Sequence, residues 1–230
     1  MFNLSLGVGL GTIREILPFK SRCTSLVILG RYIIKVKMAF RITTYLQMKC
    51  NDVTVIFLGL PNELDTEGAD RDDLEMPKNQ NLLVSEIIKV QSNTVIVLHN
   101  GAPVTMPWVN NVSAILEMYL SGDACGEAAV SILFGETNPS GKLAESFPIK
   151  LSDTPSYLNF PGERGRVEYR EGVFVGYRYY DKKEMNVLFP FGHGLSYTSF
   201  EYNNLRLDKH ELDDVDTVNA TVTITTQIPA

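Results

Sequence analysis

No run of this chain approaches the roughly 18 consecutive apolar residues of a membrane-spanning helix, so no membrane partner is expected. Cysteine is scarce: Cys23, Cys50 and Cys125 lie far apart, with no CxxC spacing. An odd, sparse set of thiols fits reduced cysteines better than a disulfide framework. The start, MFNLSLGVGLGTIREILPF, lacks the positive charge of a signal peptide, and Arg14–Glu15 interrupts its apolar run. Both features predict a cytoplasmic protein. Net positive charge is lacking as well: 27 acids against 21 Lys and Arg leave −6, which excludes a nucleic-acid binder in bulk.

Common catalytic signatures are missing too. Gly194–Leu195–Ser196–Tyr197–Thr198 lacks the second glycine of a nucleophile elbow. There is no GxxxxGK[ST] phosphate loop and no GxGxxG after a strand. His99, His193 and His210 lie too far apart in sequence for a local metal motif. His99 ends a buried strand and reads as structural before it reads as a substrate contact. No cofactor and no resident metal are expected, although Asp65, Glu67 and Asp70 are of a type that takes a cation opportunistically.

What is present divides unevenly. With 44% hydrophobic residues the 230-residue chain has material for a sizeable core, in one domain or in one domain plus part of another. Residues 1–50 hold eight Lys and Arg and one acid, whereas 51–230 hold thirteen and twenty-six. Residues 1–50 form an unassigned basic segment. Ser25–Gly30 and Ile33–Val36 are apolar enough for strands, but Arg31–Lys49 shows no period. The segment reads as truncated sequence ahead of the true fold, with a basic membrane-surface arm as the other reading.

From Asp52 the pattern is regular. Val53–Leu60 is a near-continuous apolar run, as in a strand buried on both faces of a parallel sheet. Pro77 suits the first turn of a helix, whose buried face would carry Leu83, Ile87 and Val90. Thr94–Leu98 predicts a second strand, Pro103–Val109 a helical turn and Ala114–Leu120 a third strand. A helix capped by Ser121 or Asp123 follows, closing at Gly135. It would turn Cys125, Ala128, Ala129, Ile132 and Leu133 to the sheet, making Cys125 a small core residue rather than a nucleophile. Trp108 reads as packing. The expected fold is α/β: a mostly parallel sheet with helices on both faces, an α/β sandwich incomplete at its N-terminal side.

Lys142–Phe147 predicts an edge strand ended by Pro148. Residues 151–199 are rich in Tyr, Phe, Gly and Arg and read as an extended excursion over the surface. Within it, Arg166–Tyr180 suits an interface with a neighbouring domain better than a ligand-binding surface. Residues 200–230 alternate apolar and polar, as in two or three strands of a truncated β domain.

One stretch invites a chemical reading. Between Leu60 and Pro77 lie Glu63, Asp65, Glu67, Asp70, Asp72, Asp73 and Glu75, with Arg71 the single base. Such a loop is either solvated surface or a site, and its place after a buried parallel strand favours a site. A carboxyl crowded by like charges holds its proton longer, which suits a general acid. Gly68 beside Glu67 permits tight backbone geometry.

The succession GLPNELDTEGADRDDLEMP, HNGAPVTMPWV, LFGETNPSGKLAESFP, EGVFVGYRYYD and FPFGHGLSYTSF resembles the C-terminal α/β sandwich domain of family 3 glycoside hydrolases, the β-glucosidase family. The resemblance covers about residues 50–207, assigning 51–199 to the sandwich domain. Phe200 onward resembles the start of a fibronectin type III-like domain. It implies a retaining mechanism on β-glucosides or oligosaccharides, cleaving at the non-reducing end. There an aspartate nucleophile comes from a separate barrel domain and the acid/base from the acidic loop. Matching the T-E-G-x-D-R segment places the acid/base on Glu67, with Glu63 and Asp65 as fallbacks. Asp70 and Arg71 would shape the loop by mutual hydrogen bonding, or bind substrate. The barrel is not in this sequence, so the expected state is a fragment: a partial gene, a split product or a misread frame. Alone it should be inactive. The competing expectation is a non-catalytic carbohydrate-binding or interaction module made from the same domain.

Overall fold

The computed structural model describes the backbone of residues 26–29, and residues 52–68 and 70–227 in full. Four parallel strands lie side by side in chain order: β1 (Leu26–Leu29), β2 (Thr54–Gly59), β3 (Thr94–His99) and β4 (Ala114–Glu117). The run Ser25–Gly30 therefore does supply a strand, whereas Ile33–Val36 falls outside the described residues. Helix α1 (Lys78–Ile88) crosses between β2 and β3, and α2 (Cys125–Leu133) follows β4. A parallel pair requires such a crossover, so the alternation of strand and helix yields the expected α/β sheet.

The core is built on one face of the sheet. Ile56, Leu58, Ile96 and Leu98 alternate along β2 and β3 and pack with Val84 and Ile87 of α1. Met76, Val104, Met106, Trp108 and Phe147 close it. On the opposite face Val97 is buried, but Val55, Phe57 and Val95 keep partial exposure. Complete burial of both faces, expected from the apolar run, holds fully for one.

Helix α1 turns its expected face to the core, where Leu83, Ile88 and Val90 pack beside Val84 and Ile87, and adds one buried polar residue. Gln80, Val84 and Ile87 are its buried residues, while Leu83 and Val90 are half-buried. A polar clamp holds Gln80 there: the Gln80 amide donates to the Gly59 carbonyl at 2.8 Å and accepts from the Gly59 N–H at 3.1 Å. Trp108 is packing, as expected, with its indole N–H donating to Asn81 Oδ1 at 2.8 Å.

Helix α2 departs further. It begins after Ala124 with no side-chain cap, so neither Ser121 nor Asp123 serves. Of its small-residue face only Ala129 is buried; Ala128 is exposed and Cys125 half-buried, so Cys125 is not a full core residue. Gly135 does take the left-handed conformation past the helix end, at φ +75°. Pro103–Met106 belong to no helix or strand, and the expected turn is a 3-10 turn at Val109–Asn111.

No edge strand forms at 142–147. That segment instead runs beside 188–193, joined at Leu143–His193, Gly192–Leu143 and Phe147–Phe189. Between these pairings the second segment turns on itself, the His193 N–H donating to the Pro190 carbonyl at 3.0 Å, and the Phe191 N–H goes to Ser146 Oγ at 3.1 Å, so no continuous ladder forms. The 151–199 excursion is mostly irregular, with one short helix, α3 (Tyr177–Lys182). Beyond it β5 (Ser199–Leu207) and β6 (Ala220–Gln227) form an antiparallel pair exposed along its whole length.

Candidate active site at the strand ends

The acidic loop leaves the carboxyl end of β2 and is folded on its own backbone first. The Leu64 and Asp65 N–H groups donate to the Pro61 carbonyl at 2.9 and 3.1 Å. This turn brings Asp65 to the end of β3, where its Oδ2 accepts from the Gly101 N–H at 3.0 Å. A Cβ at Gly101 would stand 2.6 Å from Asp65 Oδ1, so only glycine leaves room for the latch.

Arg71 ties down the loop's second half. Its guanidinium donates to the Pro103 carbonyl at 3.4 Å and to the Glu75 carbonyl at 3.2 Å. Removal from water lowers its pKa from the ordinary value, against the pull of Asp73 and Asp65. Asp70, exposed, does not pair with Arg71 as the sequence led one to expect; backbone carbonyls in a fixed fork geometry take the arginine instead. Asp73 accepts from the Glu75 N–H at 2.8 Å, and the Thr105 N–H from the other side donates to Leu74 at 2.7 Å.

These ties shape a groove of about 440 Å³ lined by Glu63, Leu64, Asp70–Asp73 and Glu75–Lys78. Of the five residues singled out in the sequence, Glu63, Asp70 and Arg71 line this groove. Asp65 is committed to Gly101. Glu67 stands exposed at the loop tip outside the groove, beside a long Gly68 N–H to Thr66 Oγ1 contact of 3.5 Å. Among the described residues no group of three or more His, Cys, Asp or Glu is placed to hold a metal ion. None of their helices is long and apolar enough to cross a membrane.

A second acidic cluster, unmarked in the sequence, lies at the ends of β3 and β4. Glu117 pairs in register with Leu98, which puts its side chain on the face shared by Leu98 and Asn100. Glu117 Oε1 accepts from the Tyr119 N–H at 2.9 Å. Burial, above all, pushes the Glu117 carboxyl up to about 7; the Tyr119 N–H and the Asn100 side chain oppose the shift, and Glu145 adds to it. Burial also raises Glu145, and it raises Tyr119 to about 12 with help from Glu145 and Glu117. Among the described residues Asn100 Oδ1 and Glu117 Oε2 are buried atoms with no partner in hydrogen-bond geometry, and the Tyr119 hydroxyl, buried as well, lies beside the Ala144 backbone. A charged residue inside an apolar strand was the available signal, and the sequence reading passed over it.

A parallel sheet with crossover helices and a polar loop and half-buried carboxyls gathered at its strand ends defines the class: an open α/β domain. Residues 43–197 match the glycosyl hydrolase family 3 C-terminal domain, and the chain belongs to that family. The match starts a few residues ahead of the motifs that first suggested it. The chain is 58% identical over 174 residues to thermostable beta-glucosidase B of Acetivibrio thermocellus, covering 76% of this chain and 23% of that protein. It is 48% identical over 178 residues to probable beta-glucosidase I of Aspergillus clavatus, covering 76% and 21%. A solved family 3 beta-glucosidase of Bifidobacterium adolescentis superposes with a TM-score of 0.77 at 40% identity, over 85% of this chain and 29% of that one. The chain thus spans between a fifth and a quarter of the curated relatives it matches.

Proposed function

We propose that this chain is the acid/base-bearing part of a retaining β-glucosidase, with Glu67 as the general acid/base. The nucleophile belongs to a barrel domain that the described residues do not form. The observation that carries the reading is the T-E-G-x-D-R loop at the carboxyl end of a parallel strand, in a chain whose residues 43–197 match a hydrolase domain. Asp65 and Arg71 are spent on holding backbone, which leaves Glu67 exposed at the tip and open to a facing domain. In a retaining pair the two carboxyls stand about 5–5.5 Å apart, one attacking the anomeric carbon while the other protonates the departing oxygen. Microscopic reversibility then makes the same glutamate the base that activates water.

Val167, Tyr169, Val173, Phe174, Val175 and Tyr177 are exposed apolar residues in the 166–180 stretch, a composition suited to docking a domain. On this reading the barrel covers them. The chain alone turns over no aryl β-glucoside. Residues 43–197, substituted for the matching segment of the Acetivibrio relative, support turnover by that protein's remaining domains. Sugar binding by the chain alone, together with an inactive chimera, would favour a non-catalytic binding module instead.

A further inference from the structure

We infer that Asp65 and Arg71 are a pair of positioning residues that fix where Glu67 stands, by pinning the chain on both sides of it to residues 101–103. Glu67 lies two residues after Asp65 and four before Arg71. Asp65 Oδ2 accepts from the Gly101 N–H at 3.0 Å, and the Arg71 guanidinium donates to the Pro103 carbonyl at 3.4 Å. The two anchors therefore meet one short turn, with Ala102 between their points of attachment. That turn is itself fastened, because the fully buried Asn100 donates from Nδ2 to the Ala102 carbonyl at 2.9 Å. The Asp65 carboxylate also attracts the Arg71 guanidinium across the neck of the loop.

Each anchor is braced from behind. The Asp65 N–H donates to the Pro61 carbonyl at 3.1 Å. Arg71, whose fork of donors can hold two carbonyls at once, also reaches the Glu75 carbonyl at 3.2 Å. The Thr105 N–H then ties Leu74 to the same side at 2.7 Å. Both anchors are half-buried, whereas Glu67 is exposed, and the contact beside it, from the Gly68 N–H to Thr66 Oγ1, is long at 3.5 Å. The placement of Glu67 thus falls to its flanking anchors. Joining the ends of a short segment removes most of the conformations open to the residues inside it. A proton donor has to be held close to the atom it serves, so this restriction bears on catalysis. The inference deepens the acid/base reading and rests on it for the use Glu67 makes of its place. The placement is measured without turnover, so either can fail alone.

The test is nitrogen relaxation NMR on the whole chain, reading the order parameter of the Glu67 amide, with the amides of β2 and β3 reporting that each variant keeps the fold. In the unmodified chain the Glu67 amide should stand near the rigid-backbone value of about 0.85, and in Asp65→Ala and in Arg71→Met it should fall below about 0.6. Asp65→Asn keeps an acceptor oxygen for the Gly101 N–H and should restore the rigid value. Anchors that served stability alone would lower the unfolding midpoint without moving this order parameter. A Glu67 amide already below about 0.6 in the unmodified chain overturns the inference. So does one that stays rigid in either folded variant, or one as loose in Asp65→Asn as in Asp65→Ala. If Arg71→Met does not fold, the two Asp65 variants decide the matter.

Discussion

The loop between β2 and α1 holds seven acids, six of them exposed, whereas Glu117 at the end of β4 and Glu145 of the 142–147 segment are two half-buried acids. Burial raises the proton affinity of both acids of the smaller group, because taking a carboxyl from water penalises its charged form. The loop's acids are arranged for shape: Asp65 grips Gly101, Asp73 turns the chain at Glu75, and Arg71 binds carbonyls rather than carboxylates. On the proposed function, a loop carboxyl acquires an environment like that of Glu117 only when another domain covers it.

The comparison breaks most readily at the loop's root. Gln80→Ala leaves both polar groups of buried Gly59 unpaired, and a denaturant titration should show a loss of roughly 2–4 kcal/mol. Next comes pH. Glu117 has a folded pKa of about 7, raised from 4.5. Between these values the folded state binds more protons than the unfolded state, so stability falls as pH rises. The contribution is fully present below 4.5 and lost as pH passes through about 7. A shift of this size corresponds to on the order of 3 kcal/mol. Denaturation midpoints measured across that range should slope for the unmodified chain and flatten for Glu117→Gln. Asp65→Ala should cost less, about 1 kcal/mol, because the freed Gly101 N–H is exposed and water replaces the carboxylate; thermal unfolding would detect it. Asp72→Asn, at an exposed position, should stay within about 0.5 kcal/mol in the same assay.

The parts legible in the sequence were those carried by local pattern. Thr54–Gly59 and Thr94–His99 announce themselves as continuous apolar runs, and five motifs in family order bound the domain. What stayed hidden depends on register between distant segments. Gln80 is polar and sits on the buried side of α1 because it clamps Gly59, twenty-one residues back. Glu117 is half-buried beside Leu98 because the register of β4 aligns the two, and no periodicity within β4 reveals that. Asp65 was one of seven comparable acids until its approach to Gly101, thirty-six residues away, set it apart. Residues 142–147 looked like a strand by composition, yet the turn from Pro190 to His193 in the segment they meet leaves only isolated pairings.

The claim that Glu67 is the acid/base is tested most directly by replacing it, in the chimera with the Acetivibrio relative, and measuring hydrolysis of β-glucosides with poor and good leaving groups. Glu67→Gln should lower turnover of the poor leaving group by roughly 10²–10⁴-fold, the usual worth of a positioned acid. It should spare the glycosylation step for a leaving group that needs no proton, while Glu63→Gln and Asp65→Asn remain within about tenfold of the parent. Parental turnover by Glu67→Gln on both substrates would contradict the assignment, and a selective loss in Glu63→Gln or Asp65→Asn would move it to that residue.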